Sequence, residues 1–229
     1  MLAESELELL EKIIRQGLAG ALGETLLMTF VPTVLAFVIG LPLGVLLVIG
    51  EEKGILPLPR WLMKTLNGII NILRSVPFLI LLIVVLPLSR VLVGTTVGTK
   101  AIIAPLVIAA FPFVARLVET SIREVDGGVV EAAQSMGAGT WQIILKVLIP
   151  EARPALISNF MVALITIFGY GAMSGAVGGG GLGRIAVNYG YNRYQPLVMY
   201  FAVILLVILV QIFQGVGNVL VKKSDKRIR

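Results

Sequence analysis

Two glycine runs in this sequence imitate phosphate-binding loops. GGGGLG (178–183) satisfies the spacing G-x-G-x-x-G, but a dinucleotide site needs that run after a strand and opening a helix in a βαβ unit. Here it follows a long apolar stretch, so it reads as close backbone packing or a flexible gate. GTTVGTK (94–100) has three residues between its glycines and a threonine before its lysine; a phosphate loop needs four between and none before. Neither run supplies nucleotide hydrolysis. The chain has no His and no Cys, which removes the commonest general base and metal ligand, disulfides and thiol nucleophiles. Without His, Cys or an acid inside an apolar run, most hydrolytic and metal mechanisms lack their parts.

The remaining polar candidates sit within apolar runs. Ser158, Asn159, Thr166, Tyr170 and Ser174 share one run with Met161 and Met173. At helical spacing Thr166, Tyr170, Met173 and Ser174 lie on one face. Small and hydroxylated residues suit helix–helix packing; the same face also suits a path lining, with Met173 as a soft gate. Arg74 interrupts another run, at a cost of at least ~2.5 kcal/mol on insertion scales. It pairs with carbonyls near a helix break at Pro77 or faces an aqueous path. Glu119, Arg123 and Glu124 read as a solvated helix face.

These residues need elements to hold them, and composition says which solvent those elements face. Of 229 residues, 57% are hydrophobic and 14% charged, against about a quarter charged in globular domains. A soluble core cannot hide that much apolar surface, so lipid is the solvent. The net charge of +6 comes from residues scattered at segment ends and in the tail, without the basic-aromatic stripe of a nucleic-acid binder. Residues 1–24 carry five acids and two bases before any long apolar run, unlike a secretory signal. Leu7, Leu10, Ile13, Ile14 and Leu18 form one apolar face, predicting an interfacial helix.

Five apolar runs are read as membrane spans: 25–49, 66–89, 101–115, 154–183 and 194–221; the third is shorter, but Lys100 and Arg116 can snorkel outward from its ends. Pro32, Pro42, Pro77, Pro87, Pro105 and Pro112 recur in the first three. A helical bundle tolerates them where neighbours satisfy the freed carbonyls. The tail KKSDKRIR has five bases and one acid, which places it in the cytoplasm. An odd span count then puts residues 1–24 outside. Inside segments hold 12 Lys and Arg, outside segments 6.

EAAQSMGAG (131–139) falls in the longest predicted cytoplasmic connection. Asp126 caps a short helix, VVEAAQSM, which Gly137 and Gly139 end in a left-handed turn. Thr140 caps the next helix, WQIILKVLI, before Pro150. Two helices joined at a glycine turn make either a plug for another protein's groove or an ordinary loop.

The stretch EAAQSMGAGTWQIILKVLIP resembles the signature loop of ATP-binding-cassette importer permeases. Glu131, Ala132, Ala133, Gly137 and Pro150 match it, with Val147 and Ile149 as conservative replacements. RSVPFLILL (74–82), AFPFVARLVETSIREVDGGVVEAAQSMGAG (110–139) and GYGAMSGAVGGGGLGRIAVNYGYNRYQ (169–195) are similar to the methionine-importer membrane-subunit family. The resemblance implies an all-α, polytopic membrane protein with five transmembrane helices and a cytoplasmic coupling helix-turn-helix. It divides the chain into an outer interfacial helix (1–24), a transmembrane domain (25–221, coupling loop about 119–150) and a basic cytoplasmic tail (222–229). Glu131, Ala132, Ala133, Gly137, Ala138, Gly139 and Pro150 would then contact an ATPase, and Arg74, Thr166, Tyr170, Met173 and Ser174 would line the path. The implied function is passage of methionine (D-, L- or both) across the inner membrane, with another small amino acid or organic solute as the alternative.

No catalytic residue, metal or cofactor is expected in the chain itself. ATP and Mg would belong to two partner ATPase subunits, and an external methionine-binding protein would deliver substrate. Five helices enclose a path poorly, so a homodimer with the path on its two-fold axis is expected. Lipid is the other partner; nucleic acid is not one. A secondary transporter or channel is the rival of another class. Such proteins usually bury acids at mid-membrane, whereas every Asp and Glu here lies outside the five runs.

Overall fold

A computed structural model describes residues 2–224, with side chains from residue 6 onward. The predicted basic tail therefore lies outside the described residues from 225 on. All regular structure among the described residues is helical: α1 (Leu2–Gln16), α2 (Leu18–Ile49), α3 (Arg60–Ser75), α4 (Phe78–Val93), α5 (Thr99–Arg123) and α6 (Gly127–Ser135) come first. They are followed by α7 (Thr140–Ile143), a wide π turn (Ile144–Leu148), α8 (Ile149–Glu151), α9 (Arg153–Ser174), α10 (Gly181–Ile185) and α11 (Pro196–Ser224). Four stretches are long and apolar enough to cross a membrane: α2, α5, the run that opens with α9, and α11; the bent pair α3–α4 makes five when it counts as one span.

The boundaries differ from the apolar runs for identifiable reasons. The first span begins at Leu18, only Gly17 separating it from α1. On α1 the predicted apolar face is divided: Ile13 is buried, while Leu7 and Ile14 are exposed. The second run, read as continuous over 66–89, breaks at Val76 (φ −79°, ψ 127°) and Pro77 (φ −55°, ψ 134°). Proline disfavours the helical region for the residue before it; Val76 is extended and the helix restarts at Phe78. The third run, α5, outruns its predicted end at 115 to Arg123, with Arg116, Glu119 and Arg123 paired in its added turns. In the fourth run α9 stops at Ser174, and Gly178 at φ 90° turns the chain left-handed.

Residues Met1–Val34, Pro77–Ala109 and Leu164–Phe213 form one compact unit. Its core is Met28, Leu82, Ile102 and Leu106, flanked by Phe78, Leu86, Tyr170 and Val177. Phe213 meets Phe30 and Phe168 edge-on, with centroids 5.6 and 5.7 Å away. The buried hydroxyls of Thr25, Thr29 and Thr33 donate to the carbonyls of Ala21, Thr25 and Thr29 at 2.8, 2.8 and 2.6 Å, so none needs water.

The second unit comprises Leu35–Val76, Ala110–Ala163 and Gln214–Arg229. Leu47, Ile70 and Ala115 form its core, with Leu43, Met63 and Leu66 packed against them. Gly40 and Gly44 are one helical turn apart on α2 and bring its backbone against α5. A Cβ at Gly40 would lie 2.7 Å from Val114 Cγ1, and one at Gly44 would lie 2.5 Å from the Ala115 carbonyl oxygen. Close backbone approach through small residues four apart is how helices pack without a hydrophobic drive between them.

Gly44→Val is therefore expected to force α2 off α5 and cost about 1–3 kcal/mol, read as a lowered melting temperature in detergent. Gly23→Ala on the same helix, where an added Cβ meets nothing within 4 Å, should melt no lower than the parent. Equal melting of parent and Gly44→Val would contradict this packing.

Candidate functional site

The elbow at 126–151 is built by local chemistry. Asp126 Oδ1 accepts the Gly128 N–H at 2.7 Å and caps α6, as its position before the helix predicts. At the far end Gly137 takes φ 78°, and the Gly137 and Ala138 amides donate to Gln134 O and Ala133 O at 2.9 and 3.1 Å. That is a glycine-closed helix end. The next helix starts one residue earlier than predicted. Gly139, not Thr140, is its cap, and Gln142 Oε1 accepts the Gly139 N–H at 3.0 Å. A glutamine three residues on reaches back to the free amide, so the threonine hydroxyl is not needed.

The elbow has two faces. Ala133, Ile143, Ile144 and Leu148 are buried, whereas Met136, Trp141 and Leu145 are 82%, 74% and 61% exposed. Glu131, Ala132, Gly137, Gly139 and Pro150 are exposed as well, and Ala138 is half-buried.

The root of the elbow is charged. Arg123, the last residue of α5, forks onto Glu51 in the loop after α2: Nη2 donates to Oε1 at 2.5 Å and Nη1 to Oε2 at 3.2 Å. Nη2 and Nε of Arg123 also donate to Glu119 Oε1, at 2.9 and 3.3 Å. The other oxygen of Glu119 accepts Arg116 Nη1 at 2.6 Å, and Arg116 Nη2 donates to Asn67 Oδ1 and Asn71 Oδ1 on α3 at 2.7 and 2.9 Å. This overturns the reading of a solvated helix face for Glu119, whose side chain is only 12% exposed; Arg123 is paired but half exposed, and Glu124 is exposed. The hydrogen bonds from Arg123 hold the Glu51 carboxyl below its usual range, and partial desolvation opposes that only in part. With Arg123 and Glu51 side chains 45% and 47% exposed, the pair contributes only about 0–1 kcal/mol to stability. What the fork supplies is orientation. Beside it lies an open cavity of about 560 Å³ lined in part by Lys53, Arg123, Val130, Glu131 and Gln134.

The predicted path residues are not held alike. Tyr170 is half-buried and stacks on Phe78 with centroids 4.1 Å apart and planes 4° from parallel. Met173 is 55% exposed. Ser174 turns the other way: it is buried, and its hydroxyl donates to Gly171 O at 2.6 Å beside the Met28 sulfur. Thr166 is half-buried and engaged within the chain. Arg74, in the last turn of α3, is exposed and has no hydrogen-bond or ion-pair partner among the described residues. The run GGGGLG is used for packing. Gly181, at φ 74°, donates its N–H to Glu24 Oε2 at 2.7 Å, and the Leu182 N–H reaches Thr25 Oγ1 at 2.9 Å. The Gly179, Gly181 and Leu182 amides are therefore already taken.

Residues 40–229 match the family described as binding-protein-dependent transport system inner membrane component. The chain belongs to this family. It is 47% identical over 205 residues, 89% of this chain and 90% of the relative, to a probable D-methionine transport system permease protein of Vibrio cholerae. It is 48% identical over 171 residues, 73% and 77% of the two chains, to the methionine import system permease protein of Bacillus subtilis. Among solved structures it is similar to a chain of the MetNI methionine ABC transporter in an inward-facing conformation. The TM-score is 0.88 and the identity 46%, with 91% of this chain and 96% of that one covered.

As an inner membrane component, the chain is a multi-pass protein of the inner membrane, in keeping with its apolar helices. Two groups of residues escaped the sequence reading. Met136, Trp141 and Leu145 were visible as apolar residues in a polar loop, a signal that the glycine turn overshadowed. Glu119 lies within helical spacing of Arg116 and Arg123, but their other partners, Asn67, Asn71 and Glu51, lie up to 49 and 72 residues away, beyond any local spacing rule.

The lowered folded value of Glu51 fixes a sign. Its contribution is complete above the ordinary carboxylate value, about 4.3, and is lost as the pH falls through the lower folded value. A nitroxide on Lys53→Cys should keep constant mobility from neutral pH down to about pH 5 and loosen only in stronger acid, whereas adding Glu51→Gln should loosen it at every pH. Mobility that changes between neutral pH and pH 5, or is insensitive to Glu51→Gln, would contradict the pairing.

Proposed function

We propose that this chain is the membrane-spanning subunit of an ATP-driven importer, and that methionine is its cargo. The observation that carries the reading is the 47% identity, across nine-tenths of both chains, to a relative named as a D-methionine transport permease. The elbow supports it from the geometry side. Its apolar tip, exposed around a glycine turn, suits a cleft on another protein, while GGGGLG serves packing and Gly94 and Gly98 make left-handed turns. Hydrolysis of ATP therefore falls to separate subunits, which hold the nucleotide and Mg and receive Glu131, Ala132, Ala133, Gly137, Ala138, Gly139 and Pro150. A second copy completes the path, and an external binding protein supplies substrate from the side opposite the elbow. The excess of Lys and Arg in the segments on the elbow's side, 12 against 6, supports an outer N-terminus and a cytoplasmic C-terminus. Met173 is the path-lining candidate left open by the geometry, since Ser174 faces inward against Met28 and Tyr170 is stacked on Phe78. Arg74 stays with it as an exposed charge.

Liposomes carrying this chain with its ATPase and a methionine-binding protein should take up methionine only when ATP is present on the ATPase side. Met173→Cys should crosslink to its copy on oxidation and block uptake until reduced; a bridge requires Cα atoms within ~7 Å. Uptake without ATP would favour a gradient-driven carrier and defeat the proposal.

The elbow is tested by Gly137→Val, which places a β-branched residue at φ 78° where only glycine sits without strain. Assembly with the ATPase should weaken while the membrane helices stay folded. Ser135→Cys in this cysteine-free chain should be labelled only from the ATPase side. Full assembly by Gly137→Val, or labelling from the opposite side, would remove the docking role.

A further inference from the structure

The elbow hangs from the membrane helices by two short links: Glu124–Asp126 between α5 and α6, and Ala152 between α8 and α9. Ala152 continues a helical run and is buried. The first link contains no helical residue to keep it stiff, so an element pushed from outside would swing about it unless something else fixed its root. The residue at that root is Arg123. Its guanidinium grips the loop after α2 through both Glu51 oxygens and grips its own helix through Glu119. Glu119 passes the restraint to Arg116, and Arg116 to Asn67 and Asn71 of α3. Charges alternate along the row and end on neutral amides, so each ion faces an opposite one, and Arg123 keeps Glu119 when Glu51 is removed.

We propose that Glu51, Arg123 and Glu119 are positioning residues of the transport cycle: a charge clamp that ties the root of the elbow to the loop after α2 and, through Arg116, to α3. A push on the elbow then moves the ends of three membrane helices as one body instead of flexing the link. The fork suits this task because two parallel hydrogen bonds resist rotation, which a single contact or an apolar patch does not. Its outer pair is half exposed and adds little to stability, so its use lies in direction. The inference rests on the importer reading, in which the elbow receives that push from an ATPase.

The test is the ratio of methionine taken up to ATP hydrolysed, in liposomes holding the complete transporter. Glu51→Gln should assemble with the ATPase, melt near the parent and hydrolyse ATP at close to the parent rate, yet move about tenfold less methionine per ATP, in the range usual for lost coupling between two sites. Glu51→Asp, which keeps the carboxylate, should recover part of that loss. The pair Glu51→Cys with Arg123→Cys, joined by a short bis-maleimide linker, should recover more, because a covalent tether replaces the fork mechanically. An unchanged ratio in Glu51→Gln, beside ATP-dependent uptake by the parent, overturns the clamp and leaves the importer standing. Parallel loss of melting temperature and assembly in both Glu51→Gln and Glu51→Asp also overturns it, by assigning the network to folding alone. A parent that takes up no methionine on addition of ATP overturns the importer reading and the clamp with it.

Discussion

Hydrocarbon offers no water to a peptide group, so a chain that crosses it must satisfy every N–H and C=O from within. The long helices meet that demand along their length, and each irregularity has to find a partner of its own. Where the backbone breaks at the glycine run, Glu24 and Thr25 supply acceptors for the Gly181 and Leu182 amides. At Pro77 the carbonyl is taken up by the amides of Ile80 and Leu81, which restart the helix at once. Buried threonines on α2 donate back to their own helix. Charged residues obey the same rule at a higher stake, and α5 carries Arg116, Glu119 and Arg123 in its last two turns only because each ion meets another.

This constraint also explains which features could be read from one strand of letters. Asp126 and Gly137 were legible because a cap and a left-handed glycine act within a few residues of themselves. The membrane spans were legible because composition alone demands lipid. Proline was a poorer guide. Six prolines fall inside the first three apolar runs, and the local rule against helix before proline applies to all of them. Only Pro77 parts two helices, while Pro32, Pro42, Pro87, Pro105 and Pro112 sit inside unbroken ones. Neighbouring helices decide which break is taken, and neighbours are not written in the local sequence.

The candidate site divides along the same line. Helical spacing grouped Thr166, Tyr170, Met173 and Ser174 on one face, but the consecutive Met173 and Ser174 meet different surroundings. Ser174 has Met28 beside it and turns inward, while Met173 has none of that cover. Glu119 and Arg123 looked solvated because a helix-terminal charge usually is. They pair with each other on one helix, but the partners that anchor the pair, Glu51 and, through Arg116, Asn67 and Asn71, come from other segments of the chain.

The contrast between the elbow and its root follows from what each contact must do. At the tip, Met136 and Trp141 stand exposed; apolar burial against a partner is strong but non-directional, since it scales with area and tolerates rotation. Such a contact can bind without transmitting an angle. At the root the opposite property is needed, and a guanidinium–carboxylate fork provides it with little net stability, because its ions remain partly hydrated. An apolar clamp there would hold more tightly and turn more freely. A fully buried ion pair would carry a desolvation cost of several kcal/mol per ion before any directional gain. The half-exposed Arg123–Glu51 pair lies between those limits, where direction is obtained at the least cost to folding.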